Sequence, residues 1–236
     1  MERKDPPCLA GCAWSYRAMK YIPLIALLLT VLPLRGFADP AKWEKSIAAF
    51  EQADREHPPQ KGGIVFTGSS TIARWKDIAD YFSGFRVVNR GFGGSQMEDS
   101  AYYVERILVP HEPAAIVIFA GSNDINAGKT ADAVVADFKA FVAKVRALLP
   151  KTEIGFIEIT SSPSRWAQRE KVIEANRQIR AFCEESQGVK FIAVREKFLG
   201  TNGEPREELF EKDRLHPNAD GYKILCDAIR PFLPKQ

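Results

Sequence analysis

The sequence predicts an α/β fold, a three-layer α/β/α sandwich around a five-stranded parallel sheet. Three observations carry this expectation. From residue 64 onward, short apolar runs of strand length alternate with longer segments of helical period. The run 114–120 (Ala-Ala-Ile-Val-Ile-Phe-Ala) is apolar at every position, as a strand covered by helices on both faces must be. Helix-length segments separate successive strands, and parallel strands need such crossovers. A chain of 236 residues is long enough to bury one sizeable core of this kind.

The elements follow in order. Residues 41–56 read as a helix with Trp43, Ile47 and Phe50 on one face, and the Pro- and Gly-rich segment 57–63 ends it. Strand one is 64–67 and a helix covers 70–81. Strand two is 86–89, followed by a helix over 95–108. Strand three is 114–120. The next helix is the clearest: Val134, Phe138, Phe141, Val142, Val145, Leu148 and Leu149 recur at helical spacing until Pro150 stops it. Strand four is 154–159. A helix over 166–186 presents Val172, Ile173, Ile179, Phe182 and Cys183. Strand five is 189–194, and a long loop leads to a last helix over 218–232.

The N-terminal 38 residues read as a leader rather than as part of the fold. Basic Arg17 and Lys20 precede a nearly continuous apolar run, 21–34, and small Gly36 and Ala38 sit where a signal peptidase would cut. Met19 is an alternative start. Leu9-Ala10-Gly11-Cys12 has the form of a lipoprotein box but lacks an apolar run before it. The expectation is therefore a signal peptide over 1–38, a single domain over 39–236 and export to the periplasm or medium, with no stable membrane insertion after processing. The leader holds five of the 33 Lys and Arg and two of the 30 Asp and Glu, leaving 28 of each. A neutral mature chain gives no reason to expect nucleic acid as a partner. Two cysteines remain, Cys183 and Cys226, without metal-ligand spacing. The expected fold puts them on helices at opposite faces of the sheet, so they read as buried free thiols.

In open parallel sheets, ligands bind beyond the carboxyl ends of the strands. After strand one stands Gly68-Ser69-Ser70-Thr71, a sharp turn opening a helix; either serine serves equally as a helix cap. After strand two comes Asn89-Arg90-Gly91-Phe92-Gly93-Gly94-Ser95, whose glycines expose backbone N–H groups or simply turn tightly. Gln96 stands where a dinucleotide-binding loop needs glycine. After strand three, Gly121-Ser122-Asn123-Asp124 offers a side-chain amide to an oxyanion, or forms an Asx turn. Near the C-terminus, Asp213 precedes His216 by three residues and can reach its ring, or pairs at the surface. Of three histidines, His57 lies in a linker and His111 at the far edge of the sheet, which leaves His216 to reach the strand ends.

In this order, the four blocks resemble the SGNH (GDSL-type) hydrolase superfamily across roughly residues 63–232. The resemblance implies a flavodoxin-like sheet and a serine esterase or acylhydrolase working without metal or cofactor. It places the nucleophile at Ser70, with Asp213 and His216 as partners. The oxyanion would receive the backbone N–H groups of Ser70 and Gly94 and the Asn123 amide, and Asn176 matches a recurring structural position. Two positions depart from the pattern: Ser69 and Ser95 stand where many members carry Asp. Ser69 leaves two adjacent serines, with Ser70 chosen by register from Gly68. Arg165 and Trp166, in the loop after strand four, are candidate substrate contacts, and Arg74 and Trp75 are weaker ones. The implied substrates are small-molecule, glycan or lipid acyl esters, with short or carbohydrate-linked acyl groups favoured. The other classes are a lysophospholipase or thioesterase activity, a catalytically silent binding protein, and a flavin binder resting on 91–94 alone.

Overall fold

A computed structural model of the chain describes residue 2 and residues 40–234. The chain divides into two units, Met1–Gly36 and Phe37–Gln236, and the fold lies within the second. The leader expected over 1–38 falls outside the described residues apart from Glu2, an isolated position. Among the described residues no helix is long and apolar enough to cross a membrane.

Five parallel strands form one sheet: β1 (Ile64–Gly68), β2 (Val87–Gly91), β3 (Ala115–Phe119), β4 (Glu153–Ile157) and β5 (Val189–Ile192). Their order is β2-β1-β3-β4-β5. The chain leaves β1 towards β2 on one side and returns to β3 on the other, so the crevice opens between the ends of β1 and β3. Gly68 is paired with Phe119 at that place.

Alternate side chains along each strand enter two separate cores, which is the consequence of a period of two in a sheet covered on both faces. Val65, Ile116, Ile118, Ile154 and Phe156 enter the first. It is closed by helices α1 (Glu44–Glu56), α4 (Met97–Tyr102), α5 (Val104–Ile107), α7 (Ala131–Leu148) and α8 (Arg169–Glu185). Ile64, Phe66, Val117, Phe119 and Ile157 enter the second, under α2 (Ser70–Ala73), α3 (Ile78–Tyr81) and α9 (Ala219–Ile229). Cys183 on α8 and Cys226 on α9 are therefore separated by the sheet, and both are buried and free. Burial pushes the Cys183 thiol up to about 12.

Several helices are shorter than their periodicity implies. The one expected over 70–81 is two, because the Asn89 side-chain amide draws off the carbonyls of Ile72 (2.7 Å) and Trp75 (3.1 Å). Trp75 itself enters the second core, fully buried against Phe66 and stacked on Tyr222. The one expected over 95–108 starts later, at a capping box formed by Gln96 and Asp99, and breaks at Tyr103. The segment 163–168 is a 3-10 turn with Arg165 out of helical geometry, so α8 starts at Arg169 instead of 166. The last helix is α9 followed by a 3-10 turn from Arg230. At the end of β3, where the sequence suggests a turn, Ser122–Asn126 forms the short helix α6.

Candidate active site

The site is built from the turns that follow β1, β2, β3 and β4 and from the loop before α9. At the end of β1, Gly68 has φ +118°, and a Cβ there would lie 2.1 Å from the Phe119 carbonyl oxygen. Only glycine lets the chain leave the strand this close to its neighbour. The Ser69 N–H then donates to that same oxygen (2.9 Å), which locks the turn. Ser69 is buried as the N-cap of α2 and makes no side-chain capping bond. Ser70 is the first helical residue, where a backbone N–H has no intrahelical acceptor.

The Ser70 Oγ lies 2.7 Å from His216 Nε2, and His216 Nδ1 lies 2.7 Å from Asp213 Oδ2. Of the two adjacent serines, Ser70 meets the histidine. A carboxylate can only accept, so Nδ1 carries the ring proton and Nε2 is left as the acceptor facing the serine. The loop that brings Asp213 and His216 together turns at Arg214, a non-glycine residue with φ +56°. It is closed by the Glu211 N–H donating to the His216 carbonyl (2.8 Å). This turn aims two backbone N–H groups, of Leu215 and His216, at Asp213 Oδ1, each at 3.0 Å. Arg74 Nη1 donates to Oδ2 at 2.9 Å. Partial burial would raise the Asp213 carboxyl, but the His216 and Leu215 N–H groups and the His216 ring outweigh it and hold it well below the usual range. His216 is only 6% exposed.

The glycine loop after β2 closes over the serine. The Phe92 N–H donates to the Gly68 carbonyl (2.9 Å), and a Cβ on Gly93 would lie 3.8 Å from that of Ser70. Gly94 has φ +81° and is exposed beside the Trp43 ring. At the end of β3, Asn123 Nδ2 donates to the Ser95 carbonyl (2.9 Å), tying the third block to the second. Asp124 is fully buried, and its carboxylate accepts from the Met97 N–H (3.1 Å) and from Lys129 Nζ (3.2 Å). Those bonds fix the segment immediately after Gly94, a role that its place beside Asn123 does not reveal from sequence.

Ser70, Ser122, Asn123, Thr160, Arg165 and His216 line the crevice between these turns. Arg165 stands in the crevice wall with both ends of its guanidinium engaged. It donates to Ser122 Oγ (2.8 Å) and Asn123 Oδ1 (3.0 Å). Trp166 does not line the crevice, and Arg169 packs over its ring at 5.2 Å. Gly94 is not among the residues lining the crevice, and a Cβ on it would meet the Trp43 ring at 3.2 Å. Arg74 contacts Asp213, whereas Trp75 belongs to the core. Asn176 makes a two-point bond to the backbone of Ile159 at the end of β4, accepting from its N–H (3.0 Å) and donating to its carbonyl (2.9 Å). Among the described residues no cluster of His, Cys, Asp or Glu has the geometry to hold a metal ion.

The profile of the GDSL-like lipase/acylhydrolase family matches residues 46–224, from α1 into α9. The chain belongs to this family. GDSL-like membership makes it a hydrolase acting on esters. Solved structures similar to it include a protein from Streptococcus pneumonia described as a platelet activating factor. That structure has 21% identity and a TM-score of 0.73, covering 82% of this chain and 94% of its own. A GDSL-like lipase from Bacteroides thetaiotaomicron is 20% identical with a TM-score of 0.65, covering 83% and 97%. A variant of an acetyl-xylooligosaccharide esterase from Geobacillus is 18% identical with a TM-score of 0.61, covering 75% and 96%. At these identities the likeness is one of fold. No curated protein matches the chain.

Proposed function

We propose that this GDSL-like protein is an exported serine esterase that removes short acyl groups, among them acyl groups carried on carbohydrate, through an acyl-enzyme on Ser70. The observation that carries the reading is the continuous chain of 2.7 Å hydrogen bonds from Ser70 Oγ through His216 to Asp213. In the first half-reaction, Ser70 Oγ attacks the acyl carbon while His216 Nε2 takes its proton. The negative charge on the former carbonyl oxygen is met by the backbone N–H groups of Ser70 and Gly94 and by the Asn123 amide. Collapse breaks the bond to the leaving alcohol, which takes the proton from His216. In the second, water gives a proton to His216 and attacks the acyl-enzyme. The acid leaves and the proton returns to Ser70. Asp213 keeps the ring in the productive tautomer and balances the imidazolium.

The short-acyl reading is supported by the polar residues Ser122, Thr160 and Ser162, which stand in the crevice wall beside the apolar Phe119 and Leu215. The carbohydrate reading is supported by the similarity to an acetyl-xylooligosaccharide esterase. Export is supported by the apolar segment 21–34 and the small residues at 36 and 38.

The test is a panel of p-nitrophenyl and sugar esters of increasing acyl length, with fluorophosphonate labelling alongside. Acetyl esters should turn over fastest, Ser70→Ala should neither turn over nor label, and Ser69→Ala should keep substantial activity. A protein that is folded yet unlabelled at Ser70 refutes the acyl-enzyme reading, and a preference for long acyl chains refutes the short-acyl one.

A further inference from the structure

We infer that Arg165 is the positioning residue of the oxyanion site: it fixes the Asn123 amide in its donating orientation. The inference rests on the assignment of Asn123 as an oxyanion donor.

A side-chain amide has two faces that differ only in which atom accepts and which donates, and a free one turns about χ2. At Asn123 both orientations are not open. One end faces the Ser95 carbonyl, which can only accept, so the nitrogen must lie there. The other end faces the Arg165 guanidinium, which can only donate, so the oxygen must lie there. Two partners of opposite kind, 2.9 and 3.0 Å away, define both the orientation and the plane of the amide. One Nδ2 hydrogen is spent on Ser95. The other is left for the crevice that Asn123 and Ser70 share. The guanidinium also draws electron density from the amide oxygen, which strengthens the N–H as a donor.

Arg165 is built for this task. Its Nη1 bonds Ser122 Oγ while its Nη2 bonds Asn123, so the planar fork is anchored at two successive residues of α6. The turn carrying it is held from the other side, because the Ser164 N–H donates to the Arg214 carbonyl (3.0 Å), in the loop of Asp213 and His216. The positioning group is thereby linked to the general-base loop. Arg165 is half-buried, and among the described residues it forms no ion pair. Burial, offset by no acidic neighbour, lowers its pKa. The guanidinium therefore sets a positive charge beside the amide that would meet the oxyanion.

The experiment is a double-mutant cycle of Arg165→Ala and Asn123→Ala, with p-nitrophenyl acetate as a neutral short ester and p-nitrophenyl hemisuccinate as an anionic one. Arg165→Ala should lower kcat about 10- to 100-fold for both esters, with KM changed by less than about threefold. In the Asn123→Ala background it should cost less than about threefold, because its target is gone. If Arg165 instead binds an anionic part of the substrate, Arg165→Ala will raise KM for the hemisuccinate alone, by the same factor in both backgrounds, and the inference is overturned. Equal kcat losses in both backgrounds overturn it too. Should Arg165→Ala fail to fold, Arg165→Met retains the side-chain stem and takes its place in the cycle. An Asn123→Ala protein with undiminished kcat would instead refute the oxyanion assignment beneath the inference, and active Ser70→Ala would refute Ser70 as the nucleophile.

Discussion

Replacing Asp213 with Asn tests the hydrogen-bond chain at its most specific point, and the structure dictates how the new amide must sit. Asp213 Oδ1 accepts two backbone N–H groups at 3.0 Å, so an amide nitrogen cannot occupy that place, where it would face two donors. The amide oxygen takes it, and the NH₂ falls at the position of Oδ2, 2.7 Å from His216 Nδ1. That group donates, so Nδ1 must accept, and the ring proton moves to Nε2. His216 then presents a hydrogen to Ser70 where it previously presented a lone pair, and the base is lost with the ring in place, while Arg74 turns away from the new NH₂. In serine hydrolases a tautomer reversal of this kind lowers kcat about 10⁴-fold, or about 5 kcal/mol of transition-state stabilisation. The fold should persist. Among the described residues the ion pair given up with a permanently charged partner is the one with Arg74, which is 54% exposed and free to turn to water. The assay is kcat with p-nitrophenyl acetate near neutral pH, with Tm measured on the same preparation. A folded Asp213→Asn protein within about tenfold of wild-type kcat, beside an inactive Ser70→Ala, would refute the argument.

Two further outcomes follow from the same geometry. Because the folded Asp213 carboxyl lies below its ordinary value of 3.8, its contribution to stability is complete above about pH 5 and is lost as pH falls towards the lower folded value. Denaturant titrations should therefore give a gap between wild type and Asp213→Asn that is constant above that pH and narrows below it; a gap that widens in acid would contradict the assignment. Gly68→Ala places a Cβ against the Phe119 carbonyl at positive φ, costing about 1–3 kcal/mol from the backbone alone. Thermal melts should show Tm lowered by roughly 3–10 °C together with weakened Ser70 labelling, and an unchanged Tm would mean that the turn is not locked as described.

The layers of this fold are legible in the sequence because burial imposes periodicity. An uninterrupted apolar run such as 114–120 and the helical spacing of Val134 to Leu149 report two-sided and one-sided burial directly. The ends of elements are less legible, because they are set by distant partners. The break after Ala73 depends on Asn89, which lies beyond the helix in sequence and takes its last carbonyls across the sheet edge. The late start of α8 depends on the Arg165 turn, held by Ser162 and Arg214.

The site divides along the same line. Ser70, Asn123, Asp213 and His216 are visible in the sequence because each stands at a strand end or helix entrance, where only certain residue types provide a turn, a donor or a base. By itself the sequence determined the parallel α/β fold, the family and the residues from which the site is drawn. Tertiary structure alone decided that Arg74 shares the Asp213 carboxylate, and that Arg165 faces Asn123 while Trp166 lies apart from the crevice. The physical reason is range. Patterning reports how one residue relates to its own helix or strand, whereas hydrogen bonds between separate turns exist only once the sheet has brought those turns to the same end.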